Sequence, residues 1–177
     1  MSKPVIDNNK SASLSAKAKY KVPFGTVSVT KEARDLINTA LDSNWVTRGK
    51  YVQEFEEKFA ALFGVKEAIA VSSGTDADAI SCAVLYDFGA KRGDEILVPA
   101  LTFVASANSI FQAGFIPVFV DIKRETLNID PDKIEKAITK KTKAIMAVHL
   151  MGKPAEMDAS QKIAKKHKLF IIEDAAE

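Results

Sequence analysis

One cysteine is all that this 177-residue chain contains; a lone Cys82 excludes a disulfide framework and fits a reducing cytosol. No apolar stretch approaches ~18 residues, which excludes a membrane-spanning helix. The first residues lack the apolar core of a secretory signal. Charge of one sign is also missing. The 25 basic and 23 acidic residues leave a net +2, too little to grip nucleic acid or an anionic membrane surface. Neither common glycine-rich phosphate loop is present: no Gly-x-Gly-x-x-Gly follows a strand pattern, and no Walker loop ends in Gly-Lys-Ser/Thr. Tandem repeats, low-complexity core segments and domain-splitting linkers are absent, and no metal site is expected. What is left is a cytoplasmic globular chain of 47% apolar and 27% charged residues, long enough for one domain with a real core.

Residues 1–21, rich in Ser, Lys and Asn, read as a disordered leader. From 22 onward the chain alternates regularly. A helix is expected over 31–42, with Thr30 as N-cap and Leu36, Ile37, Ala40 and Leu41 on one face. A second follows over 52–63, with Phe55, Phe59, Leu62 and Phe63 inward and Gly64 closing it in the left-handed position. Strands are expected at 67–71, 95–98, 117–120, 143–149 and 169–172. Helices lie between them at 76–88, 103–113, 131–138 and 156–167, the third opened by the Asp130-Pro131 cap and first-turn proline. Short strands alternating with helices imply a mainly parallel sheet with helical crossovers, an α/β fold.

Three places in this pattern carry chemistry. The run Leu169-Phe170-Ile171-Ile172 reads as a strand covered on both faces, and it ends in Glu173-Asp174-Ala175-Ala176-Glu177. Acids there sit at the carboxyl end of the sheet, where open α/β folds bind ligands. A buried carboxylate needs a cationic partner. The protonated ring nitrogen of pyridoxal phosphate is one such partner, and a cap for a following helix is the other reading of Asp174. Val71-Ser72-Ser73-Gly74-Thr75-Asp76 falls between a strand and a helix, so its free amides and the helix dipole favour phosphate; a plain Ser/Thr-capped turn accounts for the same residues. Phe103, within the run Gly93 to Asn108 and just after the strand that ends at Pro99, lies at the carboxyl end of the sheet and is either a core residue or an aromatic face for a flat ring.

Together these segments resemble the DegT/DnrJ/EryC1/StrS sugar aminotransferases, enzymes of the aspartate-aminotransferase fold. The resemblance runs from 22 to 177. It includes Leu41-Asp42-Ser43-Asn44-Trp45-Val46-Thr47-Arg48-Gly49, Ser73-Gly74-Thr75, Pro117-Val118-Phe119-Val120-Asp121, Thr126-Leu127-Asn128-Ile129-Asp130, Thr142-Lys143-Ala144-Ile145, Val148-His149-Leu150-Met151-Gly152 and the Asp174 run. It implies the three-layer large domain of the type I pyridoxal-phosphate transferases, with 22–177 as its N-terminal part. It implies that Gly74 and Thr75 hold the cofactor phosphate and that Phe103 stacks on the ring. Asp174 pairs with the ring nitrogen, and Glu177 contacts the phenolic oxygen or orients nearby groups.

The same resemblance implies transfer of an amino group, typically from glutamate, to a nucleotide-linked keto-sugar. The setting is amino-sugar and polysaccharide biosynthesis, lipopolysaccharide O-antigen included, and the enzyme is a homodimer. Sugar dehydration, with His in place of the family's Schiff-base lysine, is the alternative chemistry, and a non-catalytic regulatory module on the same scaffold is a third. The lysine is expected after position 177, so no catalytic residue is assigned here; Lys162, Lys165, Lys166 and Lys168 read as a solvated helix face. Two strands following 177 are likewise expected to separate 67–71 from 169–172, which implies that 67–71 has no sheet partner within these residues, that 169–172 presents a bare apolar edge, and that Phe55, Phe59 and Phe63 lack their full cover. Asp78 and Met151 depart from the family pattern, which usually has an apolar residue and Tyr there. His149 is read first as structural.

Overall fold

The computed structural model describes residues 27–177, so the leader assigned to 1–21 lies outside the described residues. Two compact units divide the chain between Lys66 and Glu67. The first contains helices α1 (Lys31–Asp42) and α2 (Lys50–Phe63). Thr30 caps α1 by accepting the Ala33 amide at 3.2 Å, and Gly64 ends α2 at φ +64, a conformation that glycine adopts without steric cost. Both caps were legible because they need only local residue types. The inward aromatic face of α2 is corrected. Phe55, Phe59, Leu62 and Phe63 are exposed, and α2 buries only Glu56 and Ala60, while α1 buries nothing. The periodicity of 3.6 defines an apolar stripe but not what covers it. Here the rings pack on one another, Phe55 to Phe59 at 5.6 Å and Phe59 to Phe63 at 4.6 Å between centroids.

The second unit is the α/β sandwich that the alternation implies. Its helices are α3 (Gly74–Ala83), α4 (Val104–Gln112), α5 (Pro131–Ala137) and α6 (Met157–His167). Its strands are β1 (Glu95–Pro99), β2 (Ile116–Val120), β3 (Thr142–Val148) and β4 (Phe170–Asp174), all parallel in the order β2-β1-β3-β4. Pro99 has no amide to donate and ends β1. Side chains alternate across each strand and build a core on each face. Ile96, Val98, Ala144 and Met146 pack with Cys82 and Ile110 on the α3/α4 side. Leu97 and Ile145 pack with Val120, Ile134 and Ala164 on the α5/α6 side. Fully burying each such side chain is worth roughly 1.5–3 kcal/mol, so the two clusters outweigh any single polar contact.

Three further expectations are corrected. Residues 67–71 form no strand, although their lack of a partner in the described sheet is as expected. The helix read over 76–88 begins at Gly74 and tightens into a 3-10 turn at Val84–Phe88, ended by Gly89 at φ +87. The run at 169–172 is not covered on both faces. It forms part of β4, an edge of the described sheet; Phe170 is exposed and Ile171 and Ile172 are half-buried. The apolar run alone does not announce an edge; the bare edge itself is the one expected from the family's strand order. No helix among the described residues is long and apolar enough to cross a membrane.

Exposed apolar faces of this kind drive association. Changing Phe59 and Phe63 together to Ser should therefore reduce self-association in sedimentation velocity. The urea stability of the 67–177 unit should move by less than about 0.5 kcal/mol, the usual range for surface changes. An unchanged sedimentation profile would show that this face takes no part in association.

Candidate functional site

The carboxyl ends of β1 and β3 are adjacent, while the helices that follow these strands, α4 and α6, lie on opposite faces. Such a reversal opens a crevice at the sheet edge, the usual ligand position in open α/β folds. Asp174 is the last residue of β4, beside that edge. It shares the parity of Ile172, which packs with the α3/α4 cluster, so its side chain points to the same side. Asp174 as a whole is only 9% exposed. Ser106, fully buried in the first turn of α4, donates to Asp174 Oδ2 at 2.8 Å and lies 2.8 Å from the Thr102 hydroxyl. The Ala176 amide donates to Oδ1 at 3.2 Å, closing a tight turn on the acid's own chain. The Asp174 carbonyl takes the His149 amide at 3.1 Å.

Phe103 is the N-cap residue of α4, and its carbonyl accepts the Ser106 amide at 3.2 Å. It is therefore one helical turn from the serine that holds Asp174. Its ring is 70% exposed, which removes the core reading. Gly74 and Thr75 open α3. Their amides donate to no acceptor among the described residues, whereas those of Asp76 and Ala77 go to the Ser73 side chain and carbonyl. A Cβ placed on Gly74 would meet nothing within 4 Å, so the turn is open above its amides. The Asp76 carboxylate takes the hydroxyls of Ser72 and Ser73, the latter at 2.9 Å, and these bonds hold its pKa below the usual carboxylate value. Glu177 accepts the Met151 amide, which ties the chain after β4 to the loop after β3.

The loop after β3 is fixed by two residues. Asn128, buried at the turn after β2, accepts the Leu150 amide at 3.0 Å and donates to the Lys153 carbonyl at 2.8 Å. His149 Nδ1 accepts the Ala155 amide at 3.1 Å, so its proton sits on Nε2, 3.1 Å from the Glu173 carboxylate. Both ring nitrogens of His149 thus serve the scaffold. Sequence reasoning missed Ser106, whose only signal is its place three residues after Phe103, in the first turn of the same helix. It noted Asp78 only as a departure from a pattern. Asp78 is also 9% exposed, and burial, with the Asp174 charge adding to it, pushes its pKa up to about 6. The Cys82 thiol is pushed up to about 12, mainly by burial and then by Asp78, so it is an inert core group.

The group that this arrangement suits is a flat cationic ring carrying a phosphate. A buried carboxylate with two donors and no basic partner among the described residues is satisfied by a ring N–H⁺. An open helix N-terminus with two unused amides suits a phosphate, and Phe103 offers a free aromatic face. The concavity of the first unit, about 650 Å³ and lined by Trp45, Val46, Lys50 and Tyr51 among others, contains none of these groups.

Comparison with known proteins gives the same direction. GDP-perosamine synthase of Escherichia coli O157:H7 is 43% identical over 157 residues, 88% of this chain and 42% of the relative. Among solved structures, the E. coli GDP-4-keto-6-deoxy-D-mannose-3-dehydratase with bound hydrated PLP is similar at TM-score 0.78 and 36% identity, over 85% of this chain and 40% of that one. NtdA from Bacillus subtilis with bound cofactor PMP matches at TM-score 0.77 and 40% identity, over 90% of this chain and 38% of that one. The chain spans about 40% of the length of these relatives. The sequence profile of one family matches residues 27–177, nearly all of the alternating pattern and every candidate residue above, and the chain belongs to the DegT/DnrJ/EryC1/StrS aminotransferase family.

Proposed function

We propose that this chain supplies the ring and phosphate contacts of a pyridoxal-phosphate-dependent enzyme that transfers an amino group, from glutamate, to a nucleotide-linked keto-sugar. The observation that carries the reading is the buried Asp174 at the carboxyl end of β4, oriented by Ser106 and without a basic partner among the described residues. The family and the sugar enzymes it resembles support the same substrate class. When bound, pyridoxal phosphate supplies an electron sink: its protonated ring takes up the electron pair released as a substrate C–H bond breaks.

The chain's own residues have separable tasks in this reading. Asp174 holds the proton at the ring nitrogen, since an opposite charge within a few ångströms favours the charged form by roughly 1–3 pKa units. Ser106 and the Ala176 amide fix the carboxylate plane, so that no reorientation is needed when the ring arrives. Phe103 covers one ring face and excludes water from it. Gly74 and Thr75 hold the phosphate through their amides and the Thr75 hydroxyl, aided by the α3 dipole. The Asp76 charge opposes that phosphate, but Asp76 is exposed and its field is screened by solvent. Glu177, whose carboxylate takes the Met151 amide, contacts the phenolic oxygen or orients nearby groups in this reading. Dehydration of the same keto-sugar class, the activity named for the E. coli relative, uses these same groups, and product analysis separates the two: an amino-sugar against a deoxy-sugar. The reading includes a cytoplasmic homodimer, for which the exposed faces of α1 and α2 supply apolar surface.

Two substitutions test it. Asp174→Ala removes the counter-charge of the ring and should weaken pyridoxal-phosphate binding at least about tenfold, as read by fluorescence titration. Binding at the unsubstituted level would reject Asp174 as the ring partner. Thr75→Val keeps the shape and removes one hydroxyl donor to a charged acceptor, worth about 1.5–3 kcal/mol. The dissociation constant should rise by roughly one to two orders of magnitude, and an unchanged constant would remove Thr75 from the phosphate site.

A further inference from the structure

In a sheet whose strands all run parallel, every connection enters its strand at one edge, here the edge opposite the crevice. The residues that lead into these strands are basic. Lys91 and Arg92 precede β1, Lys140 and Lys141 precede β3, and Lys165 and Lys168, at the end of α6, precede β4. All six are exposed, and none has an ion pair among the described residues. Backbone bonds join these entries into one edge. The Gly93 amide donates to the Gly114 carbonyl and the Glu95 amide to the Lys141 carbonyl, each at 2.9 Å, and Ala144 pairs with Phe170 where β4 starts.

Most acids of this edge are already engaged. Asp94 takes the Lys91 amide at 2.8 Å and lies 3.7 Å from Lys143. Glu95 takes the Thr139 and Thr142 hydroxyls, and Glu135 takes Lys166 and His167. Asp87, exposed on the Val84–Phe88 turn, is left to oppose the six cations. Two apolar groups are set among them. Phe111, in the last turn of α4, is 74% exposed and Ile116, which opens β2, is 47% exposed. With Arg92 they line a concavity of about 530 Å³. The net charge of +2 averages over this segregation, for the carboxyl edge has acids instead: Asp121 after β2, and Glu173 and Asp174 at the end of β4.

We propose that the amino edge of the sheet is a docking face for an anionic phospholipid surface. Five of the six free cations are Lys, point charges that suit a diffuse negative field, whereas Arg is the residue that forks onto individual phosphates of nucleic acid. Phe111 and Ile116 have no polar group to read a base, but they fit the boundary between headgroups and acyl chains. The acidic carboxyl edge is repelled by the same surface, so the crevice stays turned to solvent. The docking face is independent of the ring-site reading, since the two lie at opposite edges.

The probe is vesicles of phosphatidylcholine with about one-third phosphatidylglycerol, set against pure phosphatidylcholine, and the measurement is co-sedimentation of the 177-residue chain as salt is raised. The chain should sediment with the anionic vesicles alone and be released by salt. Each Lys near such a surface contributes about fivefold, so Lys140→Glu with Lys141→Glu should weaken partitioning at least about tenfold. Arg124→Glu with Lys153→Glu makes the same charge change at the carboxyl edge and should leave partitioning within about twofold. Lys140→Gln with Lys141→Gln, which removes charge without reversing it, gives the same ordering should the Glu pair fail to fold. Equal loss at both edges overturns the docking face, as does sedimentation with neither vesicle or with both alike. A single-stranded oligonucleotide that holds the chain at a salt level releasing the vesicles would assign the edge to nucleic acid and overturn the lipid reading.

Discussion

The Asp174 carboxylate is buried at the end of a strand, and the rest of the site is arranged around the consequences. Such a group must find donors, and it finds two in the protein: the Ser106 hydroxyl from α4 and the Ala176 amide from its own turn. The first bond joins the helix that Phe103 opens to the strand that Asp174 ends. It thereby fixes the distance between an aromatic face and an acid without any direct contact between them. The parity of β4 puts the acid on the α3/α4 side, where the open N-terminus of α3 also lies. A shift of one residue in β4 would turn Asp174 to the opposite face and break the arrangement. The pairing of Ala144 to Val148 with Phe170 to Asp174 therefore does as much for the site as any of its side chains.

Much of this fold was legible because it is written in local chemistry. Thr30, Gly64 and the Asp130-Pro131 pair marked helix ends through residue types that satisfy specific backbone groups, and those ends are where they were expected. The strands of the sheet were found within two residues because apolar runs in a parallel sheet need no partner information to stand out. What local chemistry does not encode is coverage. The Phe55, Phe59, Phe63 stripe and the Phe170 to Ile172 run both have the composition of buried surface, and both are wholly or partly exposed. Residues 67–71 have the composition of a strand but lie outside the sheet, since strand formation requires a neighbour and composition alone does not supply one.

The site divides along the same line. Gly74, Thr75, Phe103 and Asp174 were marked by local chemistry and by resemblance, Glu177 by resemblance alone; the first four lie at helix starts and a strand end, and Glu177 follows β4. Ser106 was silent because a serine in a helix is common, and only the 68-residue jump to Asp174 gives it meaning. Asp78 was visible only as a departure from the family pattern, and that it is buried is known only once the helix is packed. Long-range electrostatics is the part of a site that a sequence read locally does not show.

The central claim is that Asp174 keeps a bound pyridine ring protonated. The direct measurement is the ¹⁵N chemical shift of ring-labelled pyridoxal phosphate bound to the chain, recorded at a pH well above that at which the free cofactor loses its ring proton. The account predicts a shift in the protonated range that collapses to the neutral-pyridine range in Asp174→Ala. A neutral-pyridine shift in the unsubstituted chain would contradict it.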